Sequence, residues 1–178
     1  MKKRNIILIG MPGAGKSSVG VILAKALGYE FIDTDLVIQH REKRLLREII
    51  ADEGNEGFLA IENEVNATLE ADESVIAPGG SAIYGKEAME HFKEIGTIVY
   101  LKLSYEDLAK RLGNLKGRGV VLKEGQTLKD LYDERSKLYE QYAEITVDES
   151  GRDIQGTILR SASRSACKTE LVEYSGKF

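Results

Sequence analysis

Gly10-Met11-Pro12-Gly13-Ala14-Gly15-Lys16-Ser17 fits G-x-x-x-x-G-K-[ST], the spacing of a phosphate-binding P-loop. The apolar run from Asn5 to Ile9 ahead of it reads as a buried strand. Behind it, Val19, Ile22, Leu23 and Ala26 recur at helical spacing, with Gly28 as the helix stop. The motif therefore stands between a strand and a helix, where its chemistry requires it. Glycines allow a compact turn whose backbone N–H groups point inward at phosphate oxygens, and the helix N-terminus adds partial positive charge. Gly13, Ala14, Gly15, Lys16, Ser17 and Ser18 are the expected phosphate-binding residues. Lys16 reaches the outer phosphates, and the Ser17 hydroxyl ligates Mg²⁺.

Working outward, strands and helices alternate. Phe31-Ile32-Asp33 reads as a second strand ending in Asp33-Thr34-Asp35, followed by one basic helix over residues 36–50 that Asp52 to Asn55 breaks. A further helix places Phe58, Ile61, Val65 and Leu69 on one face. Ser74 to Ala77 is the third strand, stopped by Pro78-Gly79-Gly80-Ser81. A short helix over 86–92, a strand over 97–101 and a helix capped by Ser104 follow. Residues 113–125 hold four glycines with Lys116, Arg118 and Lys123, the composition of a moving segment. Helix 127–142, strand 145–147 and helix 153–163 close the pattern, and 165–178 form a polar tail. This alternation predicts an α/β fold with a parallel sheet, whose ligands lie beyond the carboxyl ends of the strands. The P-loop, Asp33-Thr34-Asp35 and Gly79-Gly80 would then line one crevice.

The 178 residues suit one domain, and 42% hydrophobic with 30% charged residues is ordinary for a globular protein. A formal net charge of −4 gives no reason to expect nucleic acid or an anionic membrane as partner. The single cysteine, Cys167, rules out an internal disulfide and points to a reducing compartment. The apolar stretch after Met1-Lys2-Lys3-Arg4 is too short for a secretory signal, and no run is long enough to span a membrane, so a cytoplasmic location is expected.

Phosphoryl transfer needs alignment and charge neutralisation more than covalent help. A kinase adds a carboxylate beside the acceptor hydroxyl and cations that cover the γ-phosphate. Asp33 and Asp35, two apart, would share a face in a strand-like conformation, one near the metal and the other near the acceptor. Gly79-Gly80 lets a ligand approach the backbone closely. Arg118, in the glycine-rich segment, is a candidate lid cation. His40 and His91 read as isolated and solvated.

These pieces, in this order, resemble the shikimate kinases, a branch of the P-loop nucleoside monophosphate kinase-like fold. The likeness runs over about residues 4–160 and rests on Phe31-Ile32-Asp33-Thr34-Asp35, Phe58-x-x-x-Glu62, Gly79-Gly80 and the Arg-bearing lid as well as the P-loop. It implies a three-layer fold with a five-stranded parallel sheet, ATP and Mg²⁺, and phosphorylation of a small molecule's hydroxyl by a monomer. It implies Asp33 as the magnesium-side carboxylate, Asp35 as acceptor ligand and base, Arg118 as the lid arginine, and Arg111 and Arg152 beside the adenine. Residues 1–164 would form the kinase domain, with 33–72 the acceptor-binding region, 113–125 the lid and 165–178 a tail.

The resemblance also implies two arginines that clamp the acceptor's carboxylate. One would follow the phenylalanine matched by Phe58, where this chain has Leu59. The other would follow the Leu-Tyr pair matched by Leu138-Tyr139, where it has Glu140. Gly79, Gly80, Leu59, Glu140 and Asp35 are thus the expected acceptor-side residues, with an altered pocket suited to a polyol or cyclic alcohol. Two alternatives are a shikimate kinase with relocated cations (Arg41, Arg44, Arg47, Arg135 or Lys137) and a nucleotide-binding module that no longer transfers phosphate.

Overall fold

A computed structural model describes residues 4–113 and 125–148. Arg118, Arg152, Cys167, the 153–163 helix, the 165–178 tail and most of the expected lid lie outside the described residues. Five strands, β1 (Asn5–Ile9), β2 (Glu30–Asp33), β3 (Ser74–Ala77), β4 (Gly96–Lys102) and β5 (Ile145–Asp148), form one parallel sheet in the order β2-β3-β1-β4-β5. The helices are α1 (Lys16–Leu27), α2 (Thr34–Glu42), α3 (Leu46–Ala67), α4 (Lys86–Ile95), α5 (Tyr105–Gly113) and α6 (Leu128–Tyr142). Each strand expected within the described residues is present, the helices between β2 and β3 are divided differently from expectation, and a 3₁₀ turn at Ala82–Tyr84 is added.

The layers follow from alternation along β1, where successive side chains take opposite faces. Ile6 and Leu8 pack with Val19, Leu23 and Ala24 of α1. Ile7 and Ile9 pack on the other face with Met89 and Phe92 of α4 and Leu131 and Tyr139 of α6. Both faces of the central strand are covered, as a parallel sheet requires. At the opposite end from the P-loop, buried Asn5 ties three segments together. Its Nδ2 donates to Ala71 O (2.8 Å) and Ile95 O (3.0 Å), and its Oδ1 accepts from Ser74 N (3.0 Å).

The single helix expected over residues 36–50 is two helices. Lys43 takes a left-handed φ of 55° and ends α2. Glu48 then caps α3 by accepting from Leu45 N at 2.9 Å. The break expected near Gly54 is real but internal: Gly54 has φ 70° and ψ −177° and kinks α3. Ile38, Ile49, Phe58 and Val65 make a separate small core between α2 and α3, which fixes the inner face of α3 relative to the end of β2. His91 is half-buried rather than solvated, with Nε2 2.8 Å from Leu69 O.

Candidate active site

The P-loop leaves β1 and turns into α1. Gly13 and Gly15 hold φ values of 83° and 90°, in the region that favours glycine. Ala14 N donates to Met11 O at 3.0 Å and closes the turn. Lys16 Nζ donates to Gly10 O (2.9 Å) and Met11 O (3.2 Å), so its ammonium lies folded over the loop. Burial pushes Lys16 down to about 8, against the fields of Asp35, Asp33 and Glu62, which favour its charge; nearby Arg135 pushes the same way as burial. Ser18 is exposed beside the loop. Arg111, from α5, donates from Nη1 to Gly13 O at 3.3 Å, which sets a guanidinium against the loop.

Asp33 and Asp35 converge by a route other than the one expected. They do not share a strand face. Asp33 is the N-cap of α2, its Oδ1 accepting from Asp35 N at 3.1 Å, and Asp35 sits in the first helical turn. A carboxylate that satisfies the open N–H groups of a helix start stabilises that start, so the chain turns from strand to helix here. The other Asp33 oxygen accepts from Ser17 Oγ at 3.1 Å. Burial and the neighbouring Asp33 raise Asp35 above the usual carboxylate range, partly offset by Lys16.

The described parts of the site fit ATP and Mg²⁺. A glycine turn opens a twelve-residue helix at Lys16. A hydroxyl and a carboxylate, Ser17 and Asp33, meet beside it. Mg²⁺ takes such hard oxygen donors, one or two from protein and the rest from water and phosphate.

The side expected to take the acceptor centres on Gly79-Gly80. A side chain at Gly79 would run into Glu62 Oε1 and come within 3.0 Å of Asp35 Oδ1. One at Gly80 would meet Pro12 Cδ at 2.8 Å and Arg135 Nη1 at 3.2 Å. Both glycines are thus needed for close approach of carboxyls on one side and a guanidinium on the other. Tyr139 Oη donates to Gly80 O at 2.7 Å and anchors the strip to α6, its ring stacked on Tyr100.

Glu62 and Arg135 occupy this site although their helical periodicity marks them as core positions. Glu62 is 1% exposed; Oε2 accepts from Ser81 Oγ at 2.5 Å, and Oε1 has no hydrogen-bond partner. Burial pushes its carboxyl up to about 7; the Ser81 hydrogen bond opposes this, the Asp35 charge reinforces it, and Arg135 and Lys16 oppose it. Arg135 is 3% exposed. Its Nε donates to Tyr84 Oη at 3.3 Å and its guanidinium lies 5.3 Å from the Tyr84 ring centre. Among the described residues no carboxylate lies within 4.0 Å of it.

Glu140 is not brought to the site. It is exposed on α6 and accepts from Lys102 Nζ at 2.8 Å. Leu59 is half-buried on α3, one turn before Glu62. Among the cations considered as replacements, Arg41 pairs with Glu64 (2.6 Å) and Arg44 with Asp52 and Glu53 (3.2 Å each). Arg47 and Lys137 are exposed. Arg135 alone of the five stands beside Gly80.

A family model described as shikimate kinase matches residues 12–167. The chain belongs to the shikimate kinase family. It is 34% identical over 154 residues to shikimate kinase 2 of Yersinia enterocolitica, covering 82% of this chain and 86% of that protein. The structure of a shikimate kinase from Acinetobacter baumannii in complex with shikimate superposes with a TM-score of 0.80 at 30% identity, covering 99% of this chain and 96% of that one. The shikimate kinase of Aquifex aeolicus superposes with a TM-score of 0.71 at 30% identity, over 88% and 92%. As a shikimate kinase-family protein the chain is an ATP- and Mg²⁺-dependent small-molecule phosphotransferase. No described helix is long and apolar enough to cross a membrane.

Proposed function

We propose that the chain phosphorylates a hydroxyl of a small carboxylated alcohol, with Asp35 as base and Arg135 as the group that holds the acceptor's carboxylate. The observation that carries this reading is Arg135 itself. A guanidinium buried to 3% exposure with no carboxylate in reach is costly unless an anion completes it. Its Nη1 lies against Gly80, 3.2 Å from where a Cβ would stand and beside Pro12 of the P-loop. The pocket therefore differs from a two-arginine clamp at one position, Leu59, rather than two. One missing charged hydrogen bond costs roughly 1.5–3 kcal/mol, or about ten- to a hundredfold in affinity, which leaves a carboxylate acceptor within reach.

When bound, MgATP supplies the phosphoryl group, whose bond to the β-phosphate oxygen breaks as the bond to the acceptor oxygen forms. Asp35 holds the acceptor hydroxyl and takes its proton. Its raised pKa suits a base working near neutral pH. Ser17 and Asp33 would hold the metal, and Lys16 and Arg111 would neutralise phosphate charge. Gly13, Ala14, Gly15 and Ser18 would line the phosphates, and Arg118 and Arg152 would act from residues 114–124 and 149–178. The region over 33–72 would supply Asp35, Leu59 and Glu62 to the acceptor. A monomer in the cytoplasm completes the reading, tested by sedimentation.

The test is ADP release with shikimate beside a carboxylate-free cyclitol such as inositol. Turnover with the first and none with the second is expected, and Asp35→Asn keeps nucleotide binding while turnover falls about 10²–10⁴-fold. Equal turnover of both alcohols would remove Arg135 from the acceptor site.

A further inference from the structure

Two buried ionisable groups of opposite sign beside Gly79-Gly80 lack an ion-pair partner. Arg135 has no carboxylate within 4.0 Å, and Glu62 has no lysine or arginine within that distance among the described residues. Each is almost fully buried. They flank neighbouring glycines: Glu62 Oε1 crowds Gly79, and Arg135 Nη1 crowds Gly80.

The groups around Glu62 do not supply its missing cation. Lys16 and Arg135 act on Glu62 only through their longer-range fields, neither lying within 4.0 Å of it, and Lys16 Nζ donates to Gly10 O and Met11 O. One turn back on α3 stands Leu59, not a charge. Asp35 and Asp33 add negative charge on the same side. Ser81 holds Oε2 at 2.5 Å, which fixes the carboxyl and leaves Oε1 as its unpartnered atom. A hydroxyl on the acceptor would satisfy that oxygen's hydrogen bond but not its charge. An ammonium satisfies both, and its three donors let it reach Asp35 Oδ1 as well.

We propose that Glu62, positioned by Ser81, is a specificity-determining residue that selects an acceptor bearing an ammonium group. The acceptor class is then a hydroxylated amino acid or an amino-substituted hydroxy acid: carboxylate at Arg135, ammonium at Glu62, hydroxyl at Asp35. This rests on the reading above for the carboxylate end and deepens it at the other.

Matched probes test it on the full chain. One pair is shikimate and an analogue with an amine in place of a ring hydroxyl; the other is 4-hydroxybutyrate and homoserine. In at least one pair the amine should show about tenfold or greater kcat/KM, and in Glu62→Gln that ratio should fall to about one. Ser81→Ala, a milder change, should lower the ratio severalfold. Amine binding at pH 7 should release up to about half a proton as Glu62 ionises. A wild-type ratio at or below one in both pairs overturns the proposal, as does a ratio that Glu62→Gln leaves unchanged. Should no probe be phosphorylated, calorimetric binding of the same pairs decides. Tighter amine binding confined to the wild type supports the ammonium subsite even as the kinase reading for these alcohols fails. Equal or absent binding refutes the subsite.

Discussion

Arg135→Met removes the buried guanidinium and keeps an unbranched side chain in its place. Two consequences can be worked from the structure, and they point in opposite directions. For stability, the variant loses a long hydrogen bond to Tyr84 Oη (3.3 Å) and a contact with the Tyr84 ring. The ring contact is worth about 0.5–2 kcal/mol. Tyr84 keeps its own bond to Glu134 Oε1 at 2.7 Å, so no buried hydroxyl is stranded. Against this, an ion that costs several kcal/mol to desolvate has gone, no carboxylate within 4.0 Å loses its partner, and Glu62 loses only the longer-range field of Arg135. Folding stability should therefore stay within about 1 kcal/mol of the wild type, or rise. For binding, two charge-assisted hydrogen bonds to the acceptor carboxylate are lost, roughly 1.5–3 kcal/mol each. That is about 10²–10⁴-fold in kcat/KM. The carboxylate is remote from the reacting hydroxyl, so most of the loss should fall on KM. Urea denaturation and steady-state kinetics with shikimate read the two effects separately. A variant that loses more than about 3 kcal/mol of stability while its KM stays put would show a structural arginine and refute the reasoning.

Gly79→Ala should drive a methyl into Glu62 Oε1 and against Asp35 Oδ1, lowering acceptor turnover at least about a hundredfold, with ADP affinity by calorimetry little changed. The Glu62 carboxyl sits at about 7 in the folded chain against an ordinary 4.5, so the folded state binds the extra proton between those values and stability falls as pH rises through that window. Urea unfolding at pH 5 and pH 8 should show a loss on the order of 3 kcal/mol in the wild type that is missing from Glu62→Gln; parallel curves would mean that Glu62 titrates normally. Lys16, pushed down to about 8, should take up to about half a proton when ADP binds at pH 8, seen as a dependence of the binding heat on buffer ionisation; heats independent of buffer would place its charge elsewhere.

The sheet and the phosphate end were legible because their signals are local. A strand, a glycine turn and a helix follow one another within residues 5–27, whereas the cap by Asp33, though equally local, was masked by the strand-like reading of Asp33-Thr34-Asp35. The acceptor end was not, because its signal is a charge hidden inside an apolar stripe. On α3, Glu62 follows Phe58 by four residues and precedes Val65 by three, which places it on the buried face of that helix. On α6 the competition lies between Arg135 and Glu140, and helical geometry settles it. Five residues turn the helix through about 500°, so the two side chains diverge by about 140°, and only one can face the sheet. Tyr139, four residues past Arg135, shares its face to within about 40° and is fully buried on Tyr100. Leu131 lies four residues before Arg135 on the same stripe and is buried too. Whatever buries Leu131 and Tyr139 must also bury Arg135 and turn Glu140 outward to Lys102. Reading the motif by adjacency to a Leu-Tyr pair put an anion beside Gly80; reading the same helix by its period puts a cation there.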